Sequence, residues 1–368
     1  MKNKQKRILF IITRLGGGGA ERVMGYIIKY LNEHSNYDIT LLLLKKDGNT
    51  YLKSIPPGVN IKILDIPTRI RFGILKIIRT ILGLKPDLLF CGLDKLNILL
   101  AIFLPLFKVY NIRSIVRETN VLSCQYNSKN IIIKYTYRLF YNLYDCIIAQ
   151  SEDMRTDLIK TWRINSRKII KINNPIDIET VHRRATKSSQ FIKNIYTKNY
   201  VMIGRLSHQK GYDLFFKQFA LCSPSDIHIT VFGKGELEVD LHRQIKAANI
   251  QNMVTFAGYC ENPYAELAES DGLILSSRFE GFPNVLLEAN ALGKPIFANQ
   301  CPGGINEIII PHQNGEIANF NDMRSFQSAF STFINTKYDP SLIMTLTTDR
   351  YAMDIIMPIY KKVFDQLL

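Results

Sequence analysis

The amino-acid sequence predicts an α/β protein with two doubly wound parallel-sheet domains. Three observations carry that prediction. Short apolar runs alternate with longer stretches of helical period along all 368 residues, the pattern of parallel βαβ units whose sheet faces are both covered. Ten of the runs read as strands, too many for one doubly wound sheet of simple order. The composition is 46% hydrophobic and 21% charged, with 21 Gly and 14 Pro, which excludes a disordered, collagen-like or low-complexity chain. A chain of this length buries a full core without staples.

In the first half the strands are Ile8–Ile12, Ile39–Leu44, Leu88–Phe90, Ser114–Val116 and Cys146–Ala149, with helices over Ala20–Leu31 and Ile131–Tyr144. In the second they are Tyr200–Ile203, Ile227–Phe232, Met253–Phe256, Gly272–Leu275 and Pro295–Ala298, with helices over Tyr212–Leu221 and Glu236–Ala248. The boundary falls at Asn173-Asn174-Pro175-Ile176-Asp177, because the residue before a proline is pushed out of helix. The domains are therefore expected over 1–172 and 173–349. The tail is amphipathic: Met353, Ile356, Tyr360, Val363, Phe364 and Leu367 recur at spacings of three and four. As a helix over 350–368 it either closes the second domain or crosses back to the first.

The net charge of +15 is unevenly placed. Residues 1–172 hold 29 Lys/Arg against 12 Asp/Glu, and residues 173–368 hold 18 against 20. The halves are thus expected to meet different partners. No zinc-finger spacing, RNP motif or heptad-bearing basic region is present, so no nucleic acid is expected. An anionic membrane surface or a phosphorylated substrate remains, beside a plain compositional bias toward Lys, Ile and Asn. The six cysteines form no CxxC pair, which excludes zinc ribbons and thioredoxin-like sites and fits a reduced cytoplasmic compartment. Ile8–Ile12 is too short for a signal-peptide core. Asn97–Phe107 contains Pro105 and falls well below the ~20 residues of a membrane span. A soluble or peripheral protein is expected. Arg69–Lys85 carries five cations and no acid. As a helix it sets Ile70, Ile74, Ile77 and Ile81 on one face and Arg69, Lys76 and Arg79 on the other. That suits either a sheet-covering helix or peripheral membrane docking.

Three constellations can carry chemistry. Gly16-Gly17-Gly18-Gly19 follows a strand and precedes a helix opening Ala20-Glu21-Arg22. Consecutive glycines admit a ligand close to backbone N–H groups, and a helix N-terminus favours anions; a flexible loop without ligand is the alternative. Glu21 stands where a dinucleotide fingerprint needs glycine, and no Lys-Ser/Thr follows as in a P-loop. Next, Gly204-Arg205-Leu206 ends a strand and Lys210-Gly211 follows. These two cations suit the clamp of one diphosphate, Arg by its fork and Lys as a point charge, or else form a solvated pair. The third is Glu280-Gly281-Phe282-Pro283-Asn284-Val285-Leu286-Leu287-Glu288 after strand Gly272–Leu275. Pro283 suits a first helical turn, and Phe282-Pro283 and Leu286-Leu287 pack the segment inward. Its two carboxylates are separated in role, contacting different parts of an extended ligand, unless they are ordinary surface glutamates.

Glu280 and Glu288, taken with Gly204-Arg205…Lys210-Gly211, resemble the donor site of the retaining glycosyltransferases of family 4 (group 1), the bacterial surface-polysaccharide type with the GT-B fold. Gly17-Gly18-Gly19-Ala20-Glu21-Arg22, the Asn174-Pro175-Ile176-Asp177 crossing and Gly303-Gly304-Ile305-Asn306-Glu307-Ile308-Ile309 match in the same order, so the resemblance spans nearly the whole chain. It implies two Rossmann-like domains facing across a cleft, acceptor-binding over 1–172 and nucleotide-sugar-binding over 173–349. Gly16–Gly19 would line one wall and Arg205, Lys210 and Glu280 the other.

Carried over residue by residue, the resemblance implies a catalytic set of Glu280, Arg205 and Lys210. Arg205 and Lys210 bind the donor diphosphate, and Glu280 binds the hydroxyls of the transferred sugar. Glu288 bonds the ribose, and backbone groups of Phe282, Pro283, Asn284 and Val285 hold sugar and phosphate. The base sits against Gly258-Tyr259, and Gly18 and Gly19 lie near the phosphates and acceptor. No metal and no cofactor are implied beyond the nucleotide-sugar co-substrate, in agreement with six His that show no ligand spacing. Many relatives place a histidine after an N-domain strand. Here Ser114–Val116 runs into Arg117-Glu118-Thr119-Asn120, so Arg117, Glu118 or Asn120 is expected on the acceptor side.

The implied reaction is transfer from a UDP-hexose or UDP-HexNAc to a lipid-linked saccharide of O-antigen, capsule or lipopolysaccharide. The enzyme would sit in the cytoplasm, peripherally on the inner face of the bacterial plasma membrane. A nucleotide-sugar 2-epimerase, or a non-catalytic nucleotide-sugar sensor, would use the same donor residues.

Overall fold

A computed structural model describes residues 5–66, 70–126, 131–187, 198–222 and 226–368. The chain divides into two compact units, Met1–Pro175 with Asp354–Leu368, and Ile176–Met353.

The first unit is built on strands β1 (Lys6–Ile12), β2 (Tyr37–Leu43), β3 (Asn60–Ile63), β4 (Leu88–Cys91), β5 (Arg113–Arg117), β6 (Cys146–Ala149) and β7 (Ile169–Lys171). All pair in parallel, in the order β3-β2-β1-β4-β5-β6-β7. The central strands bury both faces, so they are nearly continuous apolar runs: every residue of Leu88–Cys91 and Cys146–Ala149 is buried. β3 and β7 lie at the sheet edges, where that constraint lapses. The helix Gly19–His34 covers β1 with Val23, Met24, Ile27, Ile28 and Leu31, an i, i+4 stripe of the usual amphipathic kind.

The basic segment forms a 3-10 turn, Ile70–Gly73, and a helix, Ile74–Leu84, that buries Ile77, Ile78 and Ile81. Its first residue, Arg69, lies outside the described residues. The last helix, Met353–Leu367, packs in this unit from Asp354 onward. Its Phe364 stacks on Phe10 and Phe90, with ring centroids 5.8 and 5.6 Å away.

The second unit holds β8 (Lys198–Ile203), β9 (Ile227–Phe232), β10 (Val254–Gly258), β11 (Gly272–Leu275), β12 (Ile296–Asn299) and β13 (Gly315–Ala318), again all parallel, in the order β10-β9-β8-β11-β12-β13. One face packs on an aromatic cluster in which Phe297 meets Phe320, Phe326, Phe330 and Phe333. Counted within its own unit, each sheet contains the order 3-2-1-4-5-6, the Rossmann-like doubly wound arrangement. The order reverses between β1 and β4 and between β8 and β11. At such switch points the loops leaving the carboxyl ends diverge and open a crevice for ligands.

Candidate active site

The two loops that flank the switch point of the second unit follow β8 and β11. The first runs from Gly204 through a 3-10 turn, His208–Lys210, to the helix Tyr212–Cys222. The second runs from Ser276 to Pro283, where the helix Asn284–Ala291 begins. They bring together two side chains seventy residues apart in sequence: Lys210 Nζ lies 2.6 Å from Glu280 Oε1. Ser277 Oγ donates to the same oxygen, also at 2.6 Å. Glu280 is only 7% exposed, so its charge is met by a cation and a hydroxyl rather than by bulk water. Behind the pair, the Tyr212 hydroxyl donates to the Gly204 carbonyl at 3.1 Å. Burial first, then the charge of Glu280, raises the Tyr212 phenol well above its ordinary value. It therefore stays a donor at neutral pH.

A third loop, after β12, backs the carboxylate segment. The Glu280 amide donates to Pro302 O at 3.0 Å and the Gly304 amide to Gly281 O at 2.9 Å. Any side chain at Gly304 would collide with the Phe282 ring, so the Gly303-Gly304 match in the sequence reflects a close approach of two loops. Phe282 is buried and meets the Tyr351 ring edge-on at 5.3 Å. Buried side chains at Phe282 and Pro283 fix the start of the helix Asn284–Ala291, whose positive dipole end lies at Asn284 and Val285. Glu288 lies one turn further on and is 5% exposed.

Arg205 is exposed on the loop that carries Lys210. Gly258 ends β10 with φ +76°, its carbonyl accepting from the Gly233 amide at 2.7 Å, and Tyr259 beside it is exposed. All these groups leave the carboxyl edge of one sheet. The sequence did not mark Ser277 or Tyr212 as site neighbours. Ser277 stands three residues before Glu280, the one signal for it. Tyr212 looked like any apolar helix residue.

In the first unit the glycine run follows β1, at that sheet's own switch point. The helix begins at Gly19, and the Gly18 amide donates to Glu21 Oε2 at 2.5 Å. Gly17 and Gly18 are exposed. The three residues expected on the acceptor side differ in placement. β5 extends one residue beyond the predicted Ser114–Val116, and the Glu118 amide continues the ladder by donating to Ile148 O at 2.9 Å. That carries Arg117 and Glu118 into the interior, 2% and 0% exposed. Arg117 donates from Nε to the Tyr360 hydroxyl at 3.1 Å and from a terminal nitrogen to Asn174 Oδ1. Glu118 accepts from Asn97 at 3.0 Å and from the Tyr141 hydroxyl at 2.6 Å. Both hold the interior of the unit together. Asn120 is half-buried on the loop beyond.

Among the described residues, no group of three or more His, Cys, Asp or Glu could hold a metal ion. No helix among them is long and apolar enough to cross a membrane.

Two family models divide the chain between them. "Glycosyltransferase Family 4" matches residues 17–180 and "Glycosyl transferases group 1" matches residues 185–342. The chain belongs to this family of glycosyltransferases and is a transferase enzyme. Among its relatives is a Campylobacter jejuni N-acetylgalactosamine-N,N'-diacetylbacillosaminyl-diphospho-undecaprenol 4-alpha-N-acetylgalactosaminyltransferase, 27% identical over 336 residues, covering 87% of this chain and 88% of that protein. Another is an uncharacterised glycosyltransferase of Methanocaldococcus jannaschii, 28% identical over 254 residues, 66% of this chain and 62% of that one. The crystal structure of Anabaena HepE in complex with UDP and glucose shares the fold, with a TM-score of 0.80, 21% identity and coverage of 98% and 100% of the two chains.

Proposed function

We propose that this enzyme transfers a sugar, with retention at the anomeric carbon, from a UDP-sugar to a lipid-linked saccharide in bacterial surface-polysaccharide synthesis. The observation that carries the proposal is the Lys210–Glu280 pair at the switch point, beside the positive end of the helix Asn284–Ala291. Lys210, Arg205 and that helix end supply positive potential where a departing diphosphate gains charge, and Glu280 supplies hydrogen-bond acceptors for sugar hydroxyls. Glu288 holds the ribose, Gly258-Tyr259 the base, and Gly18, Gly19 and Asn120 belong to the acceptor side. The diphosphate takes the acceptor's proton in a front-face displacement, without a divalent metal. UDP as carrier is supported by the HepE complex, and the lipid-linked acceptor by the Campylobacter relative.

The proposed enzyme works on the cytoplasmic face of the plasma membrane. Support comes from the surface around Ile74–Leu84: Phe72 and Leu75 are 69% and 64% exposed beside Lys62, Lys76 and Arg79. Apolar groups ringed by cations suit an anionic bilayer surface.

The test is to incubate the protein with radiolabelled UDP-sugars and bacterial lipid extract, with and without EDTA. Label entering lipid, undiminished by EDTA, is expected. Conversion of the UDP-sugar without lipid would indicate an epimerase, and binding without turnover a sensor; either result overturns the proposal.

A further inference from the structure

The two loops that present Lys210 and Glu280 carry a second ion pair of reversed polarity. Asp213 follows Lys210 by three residues, and Arg278 precedes Glu280 by two. Arg278 donates from its two terminal nitrogens to the two Asp213 oxygens at 2.8 and 2.6 Å, the parallel fork of a bidentate pair. The same guanidinium donates to the His208 carbonyl at 2.8 Å, and the Arg278 amide donates to Gln209 O at 2.7 Å. Gln209 Nε2 answers with a bond to the Phe279 carbonyl at 3.1 Å, and Ser276 Oγ donates to the Lys210 carbonyl at 2.7 Å. Gly211, at φ +62°, lets the backbones touch, because any side chain there would run into Ser276 O.

Neither Arg278 nor Asp213 bonds the Lys210 or Glu280 side chain in this arrangement. Their effect runs through the backbone: residues 208–210 of one loop are tied to residues 276–279 of the other. A solvated ion pair on a surface would contribute little; this pair also holds the His208 carbonyl through its guanidinium, beside three further ties between the same loops. Here the side chains are 23% and 39% exposed, and the ties converge on the peptide units that aim the two site residues.

We infer that Arg278 and Asp213 are positioning residues for transfer, fixing Lys210 and Glu280 relative to each other before the donor arrives. This rests on the glycosyl-transfer reading above. A site preset in this way keeps its dipoles and charges from reorganising as the diphosphate departs. A displacement of about 1 Å at such a site costs on the order of 10²-fold in rate. Loss of the brace therefore lowers kcat more than it weakens the binding of a nucleotide that Lys210 can follow as it moves.

The experiment uses the full chain, the radiolabelled UDP-sugar that enters lipid most readily, and calorimetric titration with UDP. Arg278→Met is expected to lower kcat by about 10- to 100-fold while the Kd for UDP changes by less than roughly threefold. Arg278→Lys recovers part of the rate, and Asp213→Asn loses about as much as Arg278→Met. The double variant is no worse than the poorer single one, as expected of two residues acting as one unit. Melting curves accompany each variant. Wild-type kcat in Arg278→Met, with or without a lowered melting temperature, overturns the inference, since the pair would then serve the fold alone. A UDP Kd rising in step with the fall in kcat overturns it too, by making Arg278 a donor contact. Failure of the wild type to label lipid refutes the glycosyl-transfer reading itself, and this inference with it.

Discussion

Replacing Glu280 by glutamine removes the charge of the site's enclosed carboxylate and keeps its shape. One Glu280 oxygen accepts both Lys210 and Ser277 at 2.6 Å. The amide of glutamine still accepts from Ser277 but offers Lys210 no anion. Breaking a fully buried pair costs about 3–5 kcal/mol. The Lys210 side chain, however, is 22% exposed and can turn its ammonium to water. The loss is then nearer the ~1.5–3 kcal/mol of one charge-assisted hydrogen bond. In a unit of roughly 150–250 residues that lowers Tm by about 3–12 °C. The kinetic effect is larger. On the proposed reading Glu280 holds a sugar that flattens and gains charge on the way to the transition state, so kcat is expected to fall by about 10²–10³-fold, as for loss of one preorganised electrostatic contact. KM changes less, because the interaction strengthens only as the reaction proceeds. Steady-state transfer to lipid extract gives both constants, and a thermal melt separates folding from chemistry. A kcat within about threefold of wild type, or a loss carried wholly by KM, would refute the reasoning.

Glu288→Gln is expected to raise KM for the donor with little change in kcat, the signature of a contact made equally in ground and transition states; a fall in kcat alone contradicts the ribose assignment. Burial raises the Asp213 carboxyl, but the hydrogen bonds and charge of Arg278 outweigh it and hold the group below its ordinary value. Its stabilising contribution is thus complete above the unfolded carboxylate value of ~3.9 and disappears as pH falls through the lower folded one. Urea midpoints of wild type and Asp213→Asn should differ at pH 7 and converge only below about pH 4, and convergence already at pH 6 would mean the pair is not intact in solution. Flotation with vesicles containing anionic lipid should capture the protein, raised salt should release it, and Lys76→Glu with Arg79→Glu should weaken capture. Equal capture by neutral vesicles would show that the cations play no part.

The parts of the fold legible in the sequence are those where burial leaves little freedom. A central parallel strand buries both faces, so Ile8–Ile12 and Cys146–Ala149 could hardly read otherwise. Edge strands escape that demand. Each residue of Asn60–Ile63 is exposed, Ile169–Lys171 has three residues, and Gly315–Ala318 opens on glycine and glutamate, so none shows a strand's apolar run. The candidate site divides along a similar line. Glu280, Lys210 and Gly303-Gly304 stand in short motifs whose spacing is local. The Arg278–Asp213 brace joins residues 65 positions apart, and nothing in either neighbourhood announces the other. The burial of Arg117 and Glu118 is not legible in the sequence: two charged residues ordinarily end a strand, but here the ladder runs on and each has neutral or hydroxyl partners inside the unit.

The two sheets share a strand order, yet their switch points carry opposite chemistry. After β8 and β11 stand Arg205, Lys210 and the positive end of a helix. After β1 stand four glycines, followed by a helix whose N-terminus already holds an anion, since the Glu21 carboxylate is bonded to the Gly18 amide. A helix start bonded in this way does not offer a second anion the full attraction of its dipole. In dinucleotide-binding sheets of the same order the first turn takes the pyrophosphate; here a diphosphate at that turn would meet Glu21. On the proposed reading the charge of a departing nucleotide therefore falls to the second unit, where three sources of positive potential converge on one loop pair. In that reading the glycines of the first unit supply room and neutral backbone donors, the demands of an uncharged acceptor hydroxyl. On the proposed reading, donor and acceptor functions part between the units because Glu21 neutralises one of two otherwise equivalent turns. Glu21→Gln tests this: added affinity of the isolated enzyme for UDP would support it, and unchanged affinity together with wild-type kinetics would show that Glu21 merely caps its helix.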